Sequence, residues 1–185
     1  MEAAAVAYDE AQHVLLGARM FLTLGLHGTV CDIGCGPMTM AAHLVPSAGR
    51  YVGVDIRPFP PIKGVEFHCT VDMKTLNLDC KFDFMFADNL VIHLTDSHVE
   101  ALFDFVKRHL KPDSAFYAAY WEGPHKAWSD WDGFPCLQRP IEFFQGRGLE
   151  VVDIGTRVEL GAAVVAGGLA DEYIMQHARV LKGTL

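Results

Sequence analysis

The stretch Val30-Cys31-Asp32-Ile33-Gly34-Cys35-Gly36-Pro37 constrains this chain more than any other. An apolar run enters it, two glycines leave it at tight-turn spacing, and a helix-compatible segment from Met38 to Val45 follows at once. Strand, glycine turn and helix in succession let a backbone pass close to a ligand, because glycine carries no Cβ to collide with it.

Further short apolar runs repeat the pattern. Tyr51–Asp55, Val65–Cys69, Phe82–Ala87, Ala115–Tyr120, Leu149–Ile154 and Glu172–Val180 read as strands two to seven. Between them, Glu2–Leu24 reads as a helix with Gly17 as a candidate break. Ser97-His98-Val99-Glu100 has capping-box spacing and opens a helix to His109 or Leu110, and Pro140 suits the first turn of another that ends near Gly146. Strands alternating with helices predict a single-domain α/β fold over residues 1–185: a doubly wound, seven-stranded, mostly parallel sheet with the last strand antiparallel. Residues 1–26 form an amino-terminal helix that either covers the site or simply packs. In such sheets ligands bind at the carboxyl ends of the strands, near the point where strand order reverses. Asp55 closes the second strand 19 residues beyond Gly36, the place where Rossmann-type sheets grip a ribose.

Asp32, Gly34 and Gly36 match the acid-x-Gly-x-Gly-x-Gly motif of the class I, Rossmann-like S-adenosylmethionine-dependent methyltransferases, which this chain resembles over roughly residues 28 to 120. Met38 stands where the third glycine is expected. Phe82-Asp83 through His93-Leu94 is similar to the family's fourth motif, and Arg108-His109-Leu110-Lys111-Pro112 to its Arg-x-Leu-Lys-Pro-Gly-Gly, with Asp113-Ser114 in place of the glycines. The resemblance implies S-adenosylmethionine as cofactor, S-adenosylhomocysteine as its product, and a cofactor set of Asp32, Gly34, Cys35, Gly36, Asp55, Ile56, Asp72, Met73, Ala87, Asp88 and Asn89. In that set Asp55 holds the ribose, Asp72 and Met73 meet the adenine, and Ala87 and Asp88 lie along the methionine part. Such an enzyme positions a nucleophile against an already activated methyl group and needs no metal.

His93, a few residues past the fourth strand, is the candidate general base; the alternative is a structural histidine bonded to loop backbone. All three tryptophans fall in one window with other aromatics and acids, so Trp121, Glu122, His125, Trp128 and Trp131 are candidate substrate residues, with ordinary cover of the sheet end as the alternative. Tyr8, on the first helix, joins them. The stretch 161–168 is small and apolar, a pocket wall, a dimer contact or a close-packed loop.

A net charge of −8 with 15 Lys plus Arg shows no basic stripe, which argues against a nucleic-acid partner. No apolar run approaches the roughly 20 residues of a membrane span. Five cysteines without a C-x-x-C pair read as reduced thiols in a cytoplasmic protein. Together these point to transfer of a methyl group to an oxygen or nitrogen of a small-molecule substrate, in a chain that is a candidate homodimer. The alternative is a catalytically silent partner of the same fold. A nicotinamide oxidoreductase fits less well, since Thr39 occupies the third glycine position of that fingerprint.

Overall fold

The computed structural model describes residues 14–131, 134–161 and 178–185. The runs rich in β-branched and aromatic residues become β1 (Thr29–Ile33), β2 (Arg50–Asp55), β3 (Val65–Cys69), β4 (Phe82–Ala87) and β5 (Leu110–Tyr120). A hairpin follows, β6 (Lys126–Trp131) and β7 (Phe134–Gln138), and then β8 (Glu150–Thr156) and β9 (Arg179–Thr184). Seven of these strands form one sheet in the order β3-β2-β1-β4-β5-β9-β8. β1 to β5 pair in parallel, whereas β9 runs antiparallel to both of its neighbours. This is the mostly parallel seven-stranded sheet with an antiparallel last strand that the alternation predicted. Strand order reverses between β1 and β4, so the carboxyl ends of those two strands flank the crevice where ligands bind in open α/β sheets.

Both faces of the sheet are apolar, as a parallel sheet buried on two sides requires. On one face Cys31, Ile33, Val52, Val54 and Met85 pack with Val99, Leu102, Phe103 and Val106 of α3 (Asp96–His109). On the other, Val30, Tyr51, Phe84 and Phe86 pack with Met20 and Phe21 of the first helix. Of that helix, α1, the described part covers residues 14–23 and runs unbroken through Gly17. Gly25, at φ +86°, ends it in the left-handed conformation, with Leu26 N–H donating to Phe21 O at 3.0 Å. Among the described residues no helix is long and apolar enough to cross a membrane.

Several elements differ from expectation for local reasons. The helix after the glycine turn shrinks to α2 (Ala41–Leu44), because Pro46 lies in the first turn of the 3-10 segment Val45–Ser47 that follows. Thr95, not Ser97, caps α3: its hydroxyl accepts from His98 N–H, and Asp96 supplies the acid of the first turn. Pro140 leads into a single 3-10 turn, Ile141–Phe143. The last strand begins at Arg179, later than the sequence pattern suggested, and the stretch 161–168 lies almost wholly outside the described residues.

Where the family's glycines are replaced, the backbone keeps a glycine's conformation. Asp113 has φ +63° and Met38 φ +57°. Around Asp113 the pairing of β4 with β5 jumps from Phe82–Leu110 to Phe84–Ala115, so residues 111–114 arch out of the ladder. Asp tolerates the left-handed region better than most residues, but glycine does so at no steric cost. Asp113 is exposed. Asp113→Gly should therefore raise unfolding stability by about 0.5–1 kcal/mol and Asp113→Val should lower it by about 1 kcal/mol or more, measured by urea denaturation. Equal stabilities would refute strain at this turn.

Candidate active site

The turn after β1 is held by the end of β2. Gly34 N–H and Cys35 N–H both donate to Val54 O, at 2.7 and 3.2 Å, which swings the chain across the top of β2. Gly34 (φ +74°) and Gly36 (φ +53°) take conformations that L side chains rarely adopt. A Cβ on Gly34 would come 2.9 Å from the Leu90 methyls, whereas one on Gly36 would meet nothing within 4 Å. The turn thus closes on the loop after β4 while its Gly36 face opens on the crevice.

Asp55 fastens this arrangement. Its Oδ2 accepts from Gly36 N–H at 2.8 Å and its Oδ1 from Arg57 N–H at 2.9 Å. A carboxylate offers about four lone-pair directions, so two remain for a vicinal diol such as a ribose. Asp32, buried at the end of β1, accepts from Tyr51 O–H at 2.8 Å. Burial pushes the Asp32 carboxyl up to about 7; the Tyr51 hydrogen bond works against this, and the negative charges of Asp88 and Asp55 add to it. Burial, with Asp32 and Asp55 nearby, also pushes the Cys35 thiol well up, so it stands as a neutral contact and not a nucleophile. Asp88, just past β4, accepts from Arg157 Nη2 at 2.9 Å; the Arg157 side chain is fully buried. Asn89 follows at φ +54°, a local strain of the kind that gathers at functional sites. Three carboxylates therefore converge on the glycine turn at the β1/β4 switch point. This lining fits a cationic cofactor carrying a ribose.

Other predicted residues fall less centrally. Asp72 sits in the turn after β3, where its Oδ1 accepts from Lys74 N–H at 2.9 Å and its Oδ2 from Thr75 O–H at 2.9 Å. Those bonds hold its carboxyl below the usual range. Met73 packs against the core of the α3 face, and Ile56 stands exposed beside Asp55. Ala87 is buried at the end of β4.

His93 ends the short 3-10 turn Val91–His93, with Nδ1 3.8 Å from Cys136 Sγ on β7. Arg139, buried just past β7, brackets that turn: Nη1 donates to Val91 O at 3.1 Å, and Nη2 donates to Leu94 O at 2.5 Å and Asp96 Oδ1 at 3.1 Å. His125 joins Asp96 at 3.1 Å and lies against Phe143, so it belongs to this bracket and not with Glu122. Partial burial opposes it, yet Arg139 and His125 hold Asp96 below the usual carboxylate range. Trp121 pairs with Gln138 across to the hairpin, and its carbonyl accepts from Arg139 N–H at 2.9 Å. Glu122 accepts from Tyr120 O–H at 2.7 Å, and that hydroxyl also lies 2.5 Å from Asp153. Trp128 and Trp131 belong to β6, but their side chains, like Tyr8 as a whole, lie outside the described residues. No local sequence signal marks Arg139, Arg157, Tyr51 or Asp153. Each is a residue whose role comes from a partner far away in the chain.

The Asp32 carboxyl sets a pH dependence. Its folded pKa lies above its unfolded value of 3.8, so the native state holds a proton that the unfolded chain releases between pH about 4 and about 7. That contribution is full below the unfolded value and is lost as pH rises through the folded one. Wild-type stability in urea should fall across this window, and Asp32→Asn should flatten the curve; parallel curves would contradict the assignment.

Residues 8–154 match the family model described as "Methyltransferase domain". No curated protein matches the chain. Among solved structures, the chain resembles the Burkholderia thailandensis 1,6-didemethyltoxoflavin-N1-methyltransferase crystallised with 1,6-didemethyltoxoflavin and S-adenosylhomocysteine. The TM-score is 0.69 at 19% identity, covering 98% of this chain and 81% of that one. It resembles the glycopeptide N-methyltransferase MtfA complexed with S-adenosyl-L-methionine at TM-score 0.65 and 12% identity, over 92% of this chain and 93% of that one. A third likeness, at TM-score 0.67 and 18% identity over 95% and 91% of the two chains, is to the complex between the Haloferax volcanii Trm112 methyltransferase activator and the putative methyltransferase. With the family model spanning most of its length and the sheet order and crevice in place, the chain belongs to the methyltransferase domain family, as a Rossmann-like S-adenosylmethionine-dependent methyltransferase.

Proposed function

We propose that the protein methylates an oxygen or nitrogen of a small-molecule substrate, in the cytoplasm, and that Asp32, Gly34, Gly36, Asp55, Asp88 and Asn89 line its cofactor cleft. The observation that carries this reading is the convergence of Asp32, Asp55 and Asp88 on an open glycine turn at the switch point. Asp55 has acceptor capacity left for the ribose hydroxyls. Asp32 and Asp88 offer negative charge to the cationic end, where the sheet order β2, β1, β4 leads. Ile56 and Met73 supply apolar surface beside the base, and Asp72, though engaged in its own turn, keeps lone pairs for an amine.

When bound, S-adenosylmethionine supplies a methyl group already activated on a sulfonium. The chain then has to present an acceptor atom, exclude water and take up a proton. His93 is the group we assign to that proton, and Arg139 fixes the turn that carries it by holding Val91 O and Leu94 O. Trp121 and Glu122, beside the hairpin, form the nearest substrate wall. Nitrogen acceptors have the support of N-methyltransferases among the fold neighbours. The low count of basic residues favours a small substrate over nucleic acid, and five free thiols suit a reducing compartment.

Calorimetric titration tests the cofactor reading: S-adenosylhomocysteine should bind in the micromolar range to the wild type and Asp55→Ala should abolish it, whereas unchanged affinity in the variant would remove Asp55 from the site. A panel of amines and phenols with labelled cofactor then identifies the acceptor. With it, His93→Gln should lower kcat by about 10²–10⁴-fold while leaving S-adenosylhomocysteine affinity unchanged; an unaltered kcat would make His93 structural.

A further inference from the structure

The segment between β3 and β4 contains no helix or strand, yet the last turn of α3 holds it from both ends. Arg108 Nη2 donates to Met73 O at 2.7 Å and to Leu76 O at 3.3 Å. His109, the next residue, takes the other end: Leu78 N–H donates to its Nε2 at 3.0 Å. In return Lys81 Nζ donates to Arg108 O at 2.5 Å. The bonds from Arg108 and His109 all meet main chain, so they fix the path of the segment whatever its side chains do. At the head of that segment stands Asp72, whose carbonyl accepts from Leu76 N–H at 3.3 Å.

His109 is 1% exposed and lies beside the Phe105 and Phe82 rings, 4.4 and 6.4 Å away. Its Nδ1 is 2.9 Å from Phe105 O, which can only accept, so Nδ1 carries the ring proton and Nε2 is bare to accept from Leu78. A second proton would set N–H against N–H at Nε2 and leave the amide of Leu78, a buried residue, without its acceptor. The charged groups near the ring are cationic, Arg108 on α3 and Lys81 on the run into β4, while Asp79 beside Leu78 is exposed. Burial, with those two cations, holds His109 below the usual histidine value, against the pull of its bond to Phe105 O. The ring is therefore neutral above about pH 6.5 and takes its second proton only as pH falls below that.

We propose that Arg108 and His109 are positioning residues for the base of the cofactor: they set the height of residues 72–78, and protonation of His109 releases that segment and weakens the preference for adenine. The inference rests on the cofactor reading above, in which Asp72 and Met73 meet the base, and adds what holds them there. Arg108 reaches Met73 directly, and Met73 packs on the core of the α3 face. Of the two clasps, only an imidazole changes charge between pH 5 and 8. The base side of the crevice thus carries a pH dependence that the ribose side does not share.

Calorimetry on the full chain with two ligands reads this. S-adenosylhomocysteine and S-inosylhomocysteine differ only in the base, where an oxo group replaces the amine, so their affinity ratio isolates the base contact. Protonation of Asp32 acts on both ligands and cancels in the ratio, and Asp72, held below the usual carboxylate range, stays charged across the window. At pH 7.5 the wild type should favour the adenine ligand about tenfold or more. The ratio should fall toward one as pH drops from about 6.5 to about 5. In His109→Gln, whose amide oxygen accepts from Leu78 N–H but takes no proton, the ratio should stay within about twofold of its value at neutral pH. Arg108→Gln should lower the ratio at every pH and leave the inosine ligand within about twofold of wild type. If the glutamine variants do not fold, NMR on the wild type decides: the His109 ring and the Leu78 amide should titrate together, in step with the ratio. A wild-type ratio that ignores pH would overturn the proposal, as would the same fall in His109→Gln or an equal loss of both ligands in Arg108→Gln. A wild type that binds both ligands equally at pH 7.5 would remove the base assignment, and one that binds neither the cofactor reading itself; this inference would go with either.

Discussion

The hydrogen bonds from Gly36 N–H and Arg57 N–H to the Asp55 carboxylate decide the shape of the crevice. They join the turn after β1 to the end of β2, so two neighbouring strand ends present one continuous edge. Val54 O completes the join by accepting from Gly34 and Cys35. Hydrogen bonds to an ionised acceptor are stronger than neutral ones, so a charged Asp55 is both the clamp of the turn and a ready acceptor beside it. Remove the carboxylate, and the glycine turn keeps its sequence but loses the partner that fixes its height above the sheet.

Charge gives the crevice its direction. Asp55, Asp32 and Asp88 follow one another along β2, β1 and β4, and Arg157 closes the far end. Burial, and to a lesser degree the repulsion of Asp88 and Asp55, shows in the raised Asp32 carboxyl. A cation entering this row relieves that repulsion, whereas a neutral ligand does not. The second half of the site is held differently: Arg139 ties the 3-10 turn of His93 to the hairpin through backbone carbonyls, and Phe143 stacks beneath the guanidinium at 4.8 Å. Cofactor and acceptor sides thus have separate supports, main-chain amides on the Asp55 carboxylate in one and the Arg139 guanidinium on main-chain carbonyls and Asp96 in the other.

Much of this was legible in the sequence because strand ends carry their own signals. The acid-x-Gly-x-Gly pattern marked Asp32, an apolar run that ends in an acid marked Asp55, and the parallel sheet followed from alternation alone. The glycine pattern was readable even where broken: Met38 and Asp113 hold the positive φ that glycine would have held, at a cost in strain. Met38 is buried and packs beside Gly53 and Cys35, so its side chain fills space that a glycine would leave empty. The hairpin was not legible, since an aromatic-rich stretch with Pro and Gly has no clear period and its pairing with Trp121 is set by tertiary contact. Ser97 looked like the cap of α3 because its spacing to Glu100 is right, yet Thr95 offers the same chemistry two residues earlier. Arg139 and Arg157 were invisible for a deeper reason: their partners lie 48 and 69 residues away, and no local pattern encodes such a meeting.

A crystal structure with S-adenosylhomocysteine tests the central claim most directly. The account predicts the ribose hydroxyls on the Asp55 carboxylate, with the Gly36 amide still bonded to it, and the sulfur above the gap between β1 and β4. A nucleoside seated elsewhere, or an Asp55 side chain turned out of the crevice, would contradict it.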